Sequence, residues 1–219
     1  MSTTRYPQFC ALARAAEILG ERWTLLIVRE LLVGQKRFGD LAERLTPLSP
    51  TVLTSRLNAL VDHGLVRRSL LPPPINIQIY ELTPVGLALR PAIYELIRWG
   101  GNFLFPMRPD DEFDPDWVLL GLDAIARRTP TPARKILLRV RHKTKAGSFL
   151  VAGGADGTSI VKSDVPGGAT LDTTFDTLLR VIATDVSVDD AVSQNLALLE
   201  GSIHIARTLP KLFDLRRTL

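Results

Sequence analysis

Small polar side chains between Ser49 and Gly64 are the groups in this 219-residue chain best suited to chemistry. Ser49 and Pro50 are typical of a helix start, and Gly64 is typical of a helix end. The polar face of this helix carries Thr51, Thr54, Ser55 and Asn58, and the apolar face carries Leu53, Leu57, Leu60 and Val61. Such hydroxyl and amide groups can hydrogen-bond to base edges in a DNA major groove. Taken alone, the segment is more often a solvated amphipathic helix, so its neighbours decide the interpretation.

Three apolar segments before this helix are predicted to be helices. They cover residues 10–19, 23–33 and 37–45. The short turn 46–48 joins the third segment to the helix at Ser49. Two helices joined by a turn of this length are typical of a helix-turn-helix.

A β-hairpin and a long helix are predicted after Gly64. Residues 65–71 and 75–82 are strand-like, and Pro72–Pro74 form a stiff turn between them. A helix then runs from Pro84 to about Phe105. A helix-turn-helix followed by a hairpin predicts a winged helix.

Composition limits the classes of function. Apolar residues make up 46% of the chain and charged residues 23%, as in globular proteins. The single cysteine and the three scattered histidines make no metal spacing, so neither a metal nor a cofactor is expected. No catalytic triad or paired-carboxylate motif is visible, which argues against an enzyme. No signal peptide or membrane-spanning run is visible, so we expect a cytoplasmic protein without a membrane partner.

The chain has a net charge of +4, and its basic charge is concentrated in the first half. Residues 1–105 contain 12 Lys/Arg and 8 Asp/Glu, whereas residues 106–219 contain 15 of each. The excess therefore lies in the part that holds the helix at Ser49. It agrees with a polyanionic partner but is too small to identify one.

Five motifs in this half resemble those of the HxlR-type bacterial transcriptional regulators, which are related to the MarR group. They are G-x-x-W-T-L-L-I from Gly20, R-F-x-x-L from Arg37, S-x-x-V-L-T-x-R-L from Ser49, G-L-V-x-R from Gly64 and Y-x-L-T-x-x-G from Tyr80. The resemblance covers about residues 9–103. It implies a winged helix-turn-helix DNA-binding and dimerisation domain, here residues 1–106, that forms a homodimer through residues near 9–19 and 84–105.

The resemblance also implies which residues contact double-stranded DNA. The implied contacts are Lys36, Arg37, Ser49, Thr51, Thr54, Ser55, Arg56, Asn58, Arg67 and Arg68. The lysine and the arginines would contact phosphates, and the small polar groups would contact bases. The wing departs from the family, because its tip, Pro72 to Asn76, lacks a basic residue. The polar face also lacks the arginine that most often reads guanine, so DNA shape is expected to contribute to specificity.

Cys10 has two interpretations. In some members of the family a cysteine at this position senses oxidants or electrophiles, and the N-terminus of a helix can activate a thiol. Here Ala11 follows Cys10, whereas the family usually has proline there. The alternative is a small buried apolar side chain, which is common for a free cysteine.

The second half begins with an acidic, proline-containing linker, residues 107–116. Helices are predicted at 117–127, after Thr173, after Ser187 and at 209–215. Strands are predicted at 134–141, 148–152, 158–162, 170–173 and 198–205, with a turn at 153–157. The segment from Gly167 to Phe213 resembles sterol-carrier-protein domains, which implies a C-terminal α+β domain over residues 117–219. The chain as a whole is therefore predicted to be α+β.

Sterol-carrier-like domains enclose an apolar tunnel, and the resemblance implies a lipid-like or aromatic small-molecule effector here. Candidate ligand-binding residues are Trp117, Leu137, Phe149, Phe175, Leu178, Leu179 and Ile182. The alternative is that these side chains fill a solid core.

The sequence predicts a dimeric, sequence-specific transcriptional regulator, expected to be a repressor, on a near-palindromic operator. An apolar small molecule in the C-terminal domain would modulate it, by binding two states with different affinity. The alternative is a lipid-binding or carrier protein whose winged helix serves mainly dimerisation.

Overall fold

The structure is a computed structural model that describes residues 5–106, 108 and 110–215. Residues 107 and 109 of the predicted linker lie outside the described residues, as do residues 1–4 and 216–219 of the two predicted domains. The fold contains both helices and strands, and it divides into two compact units. The division falls between Ile93 and Tyr94, whereas the sequence predicted a boundary after residue 106.

The four helices predicted before the hairpin are present. They are α1 (Ala11–Leu19), α2 (Thr24–Leu32), α3 (Phe38–Arg44) and α4 (Pro50–Asp62). Their apolar faces form the core, in which Ile27, Leu41 and Leu53 have no exposed surface. Each such side chain contributes about 1.5–3 kcal/mol by burial. The loop from Leu45 to Ser49 joins α3 to α4 and completes the helix-turn-helix.

A buried carboxylate that the sequence analysis did not single out joins α2 to α3. Glu30 of α2 has no exposed surface. Its neighbour Arg29 donates to it at 2.7 Å, and Arg44 of α3 donates to it at 2.6 Å. Because a buried charge is stable only when it is paired, Glu30 holds α3 against α2.

The predicted wing is a short antiparallel hairpin of β1 (Val66–Leu70) and β2 (Gln78–Leu82). Lys36, just before α3, pairs with Tyr80 of β2 as a one-residue third strand. The strand expected from Ile75 begins only at Gln78. The alternation of Ile75, Ile77 and Ile79 suggested otherwise, but Asn76 has a left-handed φ of 44°, which interrupts extended backbone.

The single helix predicted over 84–105 is divided. It consists of α5 (Pro84–Leu87), α6 (Arg90–Gly100) and a 3-10 turn at Gly101–Phe103. Pro91 explains the break, because its ring would clash with the carbonyl of Leu87 in a continuous helix and it has no N–H to donate. At Gly86 in α5 an added Cβ would lie 2.1 Å from the Leu65 carbonyl oxygen, so only glycine permits this approach to the wing.

The second unit is built on one five-stranded sheet. Its strands are β3 (Lys135–His142), β4 (Lys145–Gly154), β5 (Gly157–Lys162), β6 (Ala169–Thr174) and β7 (Ala197–Gly201). The order across the sheet is β5-β4-β3-β6-β7, and only the central pair β3 and β6 is parallel. The remaining neighbours are antiparallel, with the hairpin turn at Ala155–Asp156 where a turn was predicted.

Four helices accompany the sheet within the part of the second unit that the structure describes. They are α7 (Pro115–Ile125), α8 (Phe175–Ile182), α9 (Val188–Ser193) and α10 (Ile203–Ala206). Their apolar side chains form a shared core with Ile136, Leu138 and Phe149 of the sheet, none of which has exposed surface. Ser187 accepts a hydrogen bond from the amide of Asp190 and caps α9, as predicted.

The start of α7 and the cap of α8 differ from expectation. Helix α7 begins at Pro115, and Phe113 before it is buried in the core, so this end of the predicted linker belongs to the folded unit. Thr174 caps α8 by accepting from the Thr177 amide. Thr173, the expected cap, is fully buried in β6 and donates to the Leu196 carbonyl oxygen.

The predicted strand 198–205 and the predicted final helix are also corrected. Strand β7 ends at Gly201, whose φ of 87° turns the chain so that Ser202 can cap α10. The final segment forms only a 3-10 turn, Leu209–Leu212, followed by buried Phe213. β4 begins at Lys145 rather than at residue 148, because Lys143 adopts a left-handed φ of 51° and closes a tight hairpin.

No helix in the described ranges is long and apolar enough to cross a membrane. Within those same ranges, no group of three His, Cys, Asp or Glu side chains is arranged to hold a metal ion.

Candidate nucleic-acid interface and ligand pocket

Helix α4 has the two faces that its sequence predicted. Leu53, Leu57 and Leu60 are buried, whereas Thr51 and Thr54 are exposed. Ser49 precedes the helix and its Oγ accepts a hydrogen bond from the Val52 amide at 3.4 Å. Its hydroxyl therefore caps the helix, and the hydroxyls of Thr51 and Thr54 remain on the open face. Ser55 is half-buried beside them.

Asn58 of α4 and Arg68 of β1 are bonded to each other. The Arg68 guanidinium donates to Oδ1 of Asn58, and its carbon lies 5.9 Å from the centre of the Tyr80 ring. A guanidinium over an aromatic face is attracted by the ring electrons. Arg68 is thus held by the wing while it orients a side chain of the candidate recognition helix α4.

Arg56 is engaged by the loop between α1 and α2. Its guanidinium donates to Glu21 at 2.8 Å, and the side chain is 23% exposed. Its Nε is buried and has no hydrogen-bond partner among the described residues. The structure therefore separates Arg56 from the exposed polar groups with which the sequence analysis placed it.

Arg67 lies on the hairpin opposite Glu81, as the strand register requires. Its guanidinium is 3.0 Å from Glu81, and Ser69 also donates to the same carboxylate. The hydrogen bond from Ser69, followed by that from Arg67, lowers the pKa of Glu81 below its ordinary value. The carboxylate therefore stays ionised beside Arg67 and reduces the local positive charge of the wing.

Lys36 and Arg37 lie immediately before α3. The Lys36 backbone pairs with Tyr80, and its ammonium is 3.4 Å from the Gly34 carbonyl oxygen. The Arg37 amide donates to the Asp40 carboxylate at 2.9 Å in the first turn of α3, while Arg37 as a whole is exposed. Both basic residues thus have fixed backbones next to the helix-turn-helix.

Sequence reasoning missed the partners of these groups. Glu81 could have been found, because the hairpin register places it opposite Arg67. Glu21 and Tyr80 could not have been found, because their contacts with Arg56 and Lys36 depend on packing between distant elements. Val52 was also missed: it is 37% exposed on α4, where an apolar side chain can contact a thymine methyl group.

Cys10 is exposed and precedes α1 as its N-cap residue. The exposure argues against the buried alternative. Two apolar residues beside it, Phe9 and Leu12, are also highly exposed. In the other predicted dimer segment, 84–105, Trp99 is 62% exposed and Phe103 is 67% exposed.

The candidate ligand residues of the second unit separate into two groups. Leu137, Phe149 and Leu178 have no exposed surface and Ile182 is 4% exposed, so at these four positions the structure has a filled core. Phe175 and Leu179 of α8 instead line an open pocket. Trp117 is half-buried and does not line it.

This pocket has a volume of about 880 Å³ and lies entirely in the second unit. Its walls are α7, α8 and residues 97–106. Most of its lining is apolar, with the charged residues Arg98, Asp176, Arg180 and Asp185 and the amide of Asn102. The hydroxyl of Tyr94 in α6 donates to Asp123 in α7, which joins two of these walls.

The first unit is a winged helix-turn-helix, with an exposed polar helix face, flanking basic residues and a hairpin beside them. The chain matches the family model described as HxlR-like helix-turn-helix over residues 18–107. YvaP and YodB, two HTH-type transcriptional regulators of Bacillus subtilis, are 39% and 37% identical over 94 and 93 residues. These matches cover 42% of this chain, and 86% of YvaP and 82% of YodB. The chain belongs to the HxlR-like helix-turn-helix family.

A third relative, the HTH-type transcriptional regulator Rv3095 of Mycobacterium tuberculosis, is 45% identical over 94 residues, or 43% of this chain. The chain spans 59% of the length of this mycobacterial relative. Among solved structures, the reduced form of YodB is 33% identical, with a TM-score of 0.40. That match covers 46% of this chain and all of YodB. The relatives compared are regulators of transcription, which agrees with the prediction that the chain is not an enzyme.

Proposed function

We propose that this protein is a dimeric transcriptional repressor that binds a near-palindromic operator through α4. The observation that carries the proposal is the exposed pair of hydroxyls, Thr51 and Thr54, at the N-terminal half of a helix whose opposite face is buried. In helix-turn-helix proteins this part of the second helix contacts base edges. Membership of a family of regulators supports it.

The remaining implied contacts are assigned by position. Arg37 and Lys36 contact phosphates beside α3, and Arg67 does so from the wing. Asn58 contacts a base while bonded to Arg68. Ser49 and Arg56 are assigned to support α4, because Ser49 caps it and Arg56 is paired with Glu21. Ser55, which is half-buried beside the two threonines, is kept as a proposed DNA contact.

We assign the dimer contact to the exposed apolar residues of α1 and of segment 84–105. Two copies of α4 would then enter successive major grooves about 34 Å apart. An exposed Cys10 at the start of α1 lies in this contact region, and its sensing role stays a prediction.

We also propose that the second unit is a sterol-carrier-like domain that binds an apolar effector. Its element order, a helix, four strands, two helices, a strand and a closing helix, supports the proposal. The effector would change operator affinity by binding the DNA-competent and incompetent states unequally.

Replacing Thr51 and Thr54 together by alanine tests the function. An operator is first selected from random duplexes, and its binding is measured by fluorescence anisotropy at fixed salt. Because each good base contact contributes about 1–3 kcal/mol, we expect the preference over random DNA to fall at least about tenfold. Thr144→Ala, in an exposed turn of the second unit, is the control and should keep the preference. Selection that yields no duplex bound better than random DNA would contradict the proposal.

A further inference from the structure

The pocket of the second unit contains two glycines that the fold itself does not require. Gly121 lies inside α7 and Gly101 lies in the opposite wall. At both positions an added Cβ would have no atom within 4 Å, and neither glycine has a positive φ. Glycine within a helix costs about 1 kcal/mol relative to alanine. Neither backbone conformation nor close packing accounts for the glycine at position 121 in α7.

Gly153 shows the contrast. An added Cβ there would lie 2.2 Å from the Pro132 carbonyl oxygen, so packing alone requires glycine. At Gly121 the missing side chain instead enlarges the space between α7 and α8. The pocket's volume, about 880 Å³, lies within the range of small-molecule sites.

The charges around the pocket indicate what class of molecule fits. Arg98 donates to Glu95, and Arg180 lies 3.9 Å from Asp176 on the same helix. The lining thus holds two guanidinium groups and two carboxylates, those of Asp176 and Asp185. Asp185 also has an interaction partner. These positive and negative charges balance, so the lining does not favour a ligand of either sign, whereas its mainly apolar wall favours an uncharged ligand.

Asn102 is an exposed, uncharged polar residue of the lining. Its Nδ2 donates to the Trp99 carbonyl oxygen at 3.0 Å. Its Oδ1 accepts no hydrogen bond from the described residues, and it lies on a residue that lines the pocket. An amide oxygen of this kind accepts a hydrogen bond from a hydroxyl group.

We propose that this pocket binds an uncharged, mainly apolar molecule that carries one hydroxyl group. The apolar body lies over Gly121 between α7 and α8, and the hydroxyl donates to Asn102. The inference rests on the proposed effector function and gives it a site and a ligand class. The proposal also places the ligand against residues 97–106, a segment that begins in α6 and extends past its end. This segment lies within residues 18–107, which match the family model.

Displacement of the uncharged dye Nile red from the full-length protein tests the proposal. The competitors are 1-decanol, decanoate and decylamine, which share a chain length and differ in charge at pH 7. We expect 1-decanol to displace the dye at concentrations at least about tenfold lower than either charged compound. Displacement by decanoate or decylamine at equal or lower concentration would overturn the ligand class.

Two variants locate the site. Gly121→Leu should weaken dye and 1-decanol binding at least about tenfold, because its side chain fills the pocket. Gly39→Leu in α3 is the matched control, since an added Cβ there also has no atom within 4 Å. Asn102→Leu should weaken 1-decanol about fivefold and leave Nile red, which has no donor, unchanged. Equal binding by Gly121→Leu and the unaltered protein would overturn the site.

If Gly121→Leu does not fold, Ala183→Met, which projects from the end of α8, obstructs the same pocket. If these variants altered dimerisation but not dye binding, the pocket would be a contact surface for a second copy of the chain, and the proposal would be overturned. The assay contains no DNA, so its outcome is separate from that of operator selection. A protein that binds 1-decanol through Gly121 but selects no operator would contradict the proposed function alone.

Discussion

Asn58 and Arg68 lie on different elements, yet their side chains form one hydrogen-bonded pair. The family resemblance implied a DNA contact for each but not their pairing, because the distance between α4 and β1 depends on packing. The pairing changes the role of Arg68. We propose that its guanidinium positions the Asn58 amide for a base contact, rather than acting only as a phosphate contact.

A double-mutant cycle tests this role. We expect Arg68→Met and Asn58→Ala each to lower the operator-to-random affinity ratio about tenfold, and the double variant to lose little more, because the two groups act as a unit. The slope of log affinity against log salt should stay unchanged in Arg68→Met. It should fall by about 1 in Arg37→Met, which removes the proposed phosphate contact. A lower slope with an unchanged affinity ratio in Arg68→Met would show that Arg68 contacts phosphate alone.

At the scale of elements, Glu30 determines how α3 is held. Its carboxylate is fully buried and is shared by Arg29 and Arg44. Removing one member of a buried ion pair costs about 3–5 kcal/mol, because the remaining charges lose their partner. Both arginines are 22% exposed, so water can solvate them in part.

We therefore expect Glu30→Ala to lower the free energy of unfolding by about 3 kcal/mol, near the low end of that range. Chemical denaturation of the full chain measures the change. Glu43→Ala in α3 is the control, since Glu43 is exposed, and it should change stability by no more than about 0.5 kcal/mol. A loss below about 1 kcal/mol in Glu30→Ala would contradict the role assigned to Glu30.

Elements with strong local signals were predictable. The capped helix at Ser49 and the glycine turn between β4 and β5 formed where the sequence indicated. The break before Pro91 was also readable, because proline disfavours helix in the residues before it. The tight turn at Lys143 could not be predicted, because no local sequence signal indicates that a lysine will adopt a left-handed φ. The pocket likewise could not be predicted, because its walls come from segments far apart in sequence.

At the scale of the whole molecule, the predicted boundary after residue 106 followed composition, whereas the structure divides within α6. The hydrogen bond from Tyr94 to Asp123 shows why: the C-terminal part of α6 packs with the second unit. Helix α6 therefore contributes residues to both units.

Exposed apolar side chains on α1 and near the C-terminal end of α6 predict the dimer. Leu12 is 77% exposed and Trp99 is 62% exposed. We expect Leu12→Glu combined with Trp99→Glu to give a monomer in sedimentation velocity and to weaken operator binding at least about a hundredfold, because one protomer then binds one half-site. Leu198→Glu, which alters an equally exposed apolar residue, should leave the dimer intact. An unchanged sedimentation coefficient in the double variant would contradict this dimer contact.

The parallel pairing of β3 with β6 has a consequence for how the second unit folds. β3, β4 and β5 are joined by tight hairpins and can assemble locally, but β6 reaches β3 only after both hairpins and a further loop. Until then one edge of β3 presents unpaired backbone groups beside Ile136 and Leu138. Such an edge is a template for a strand of another chain. Aggregation during refolding or synthesis should therefore begin at β3, while the mainly helical first unit, whose contacts are more local, folds ahead of it.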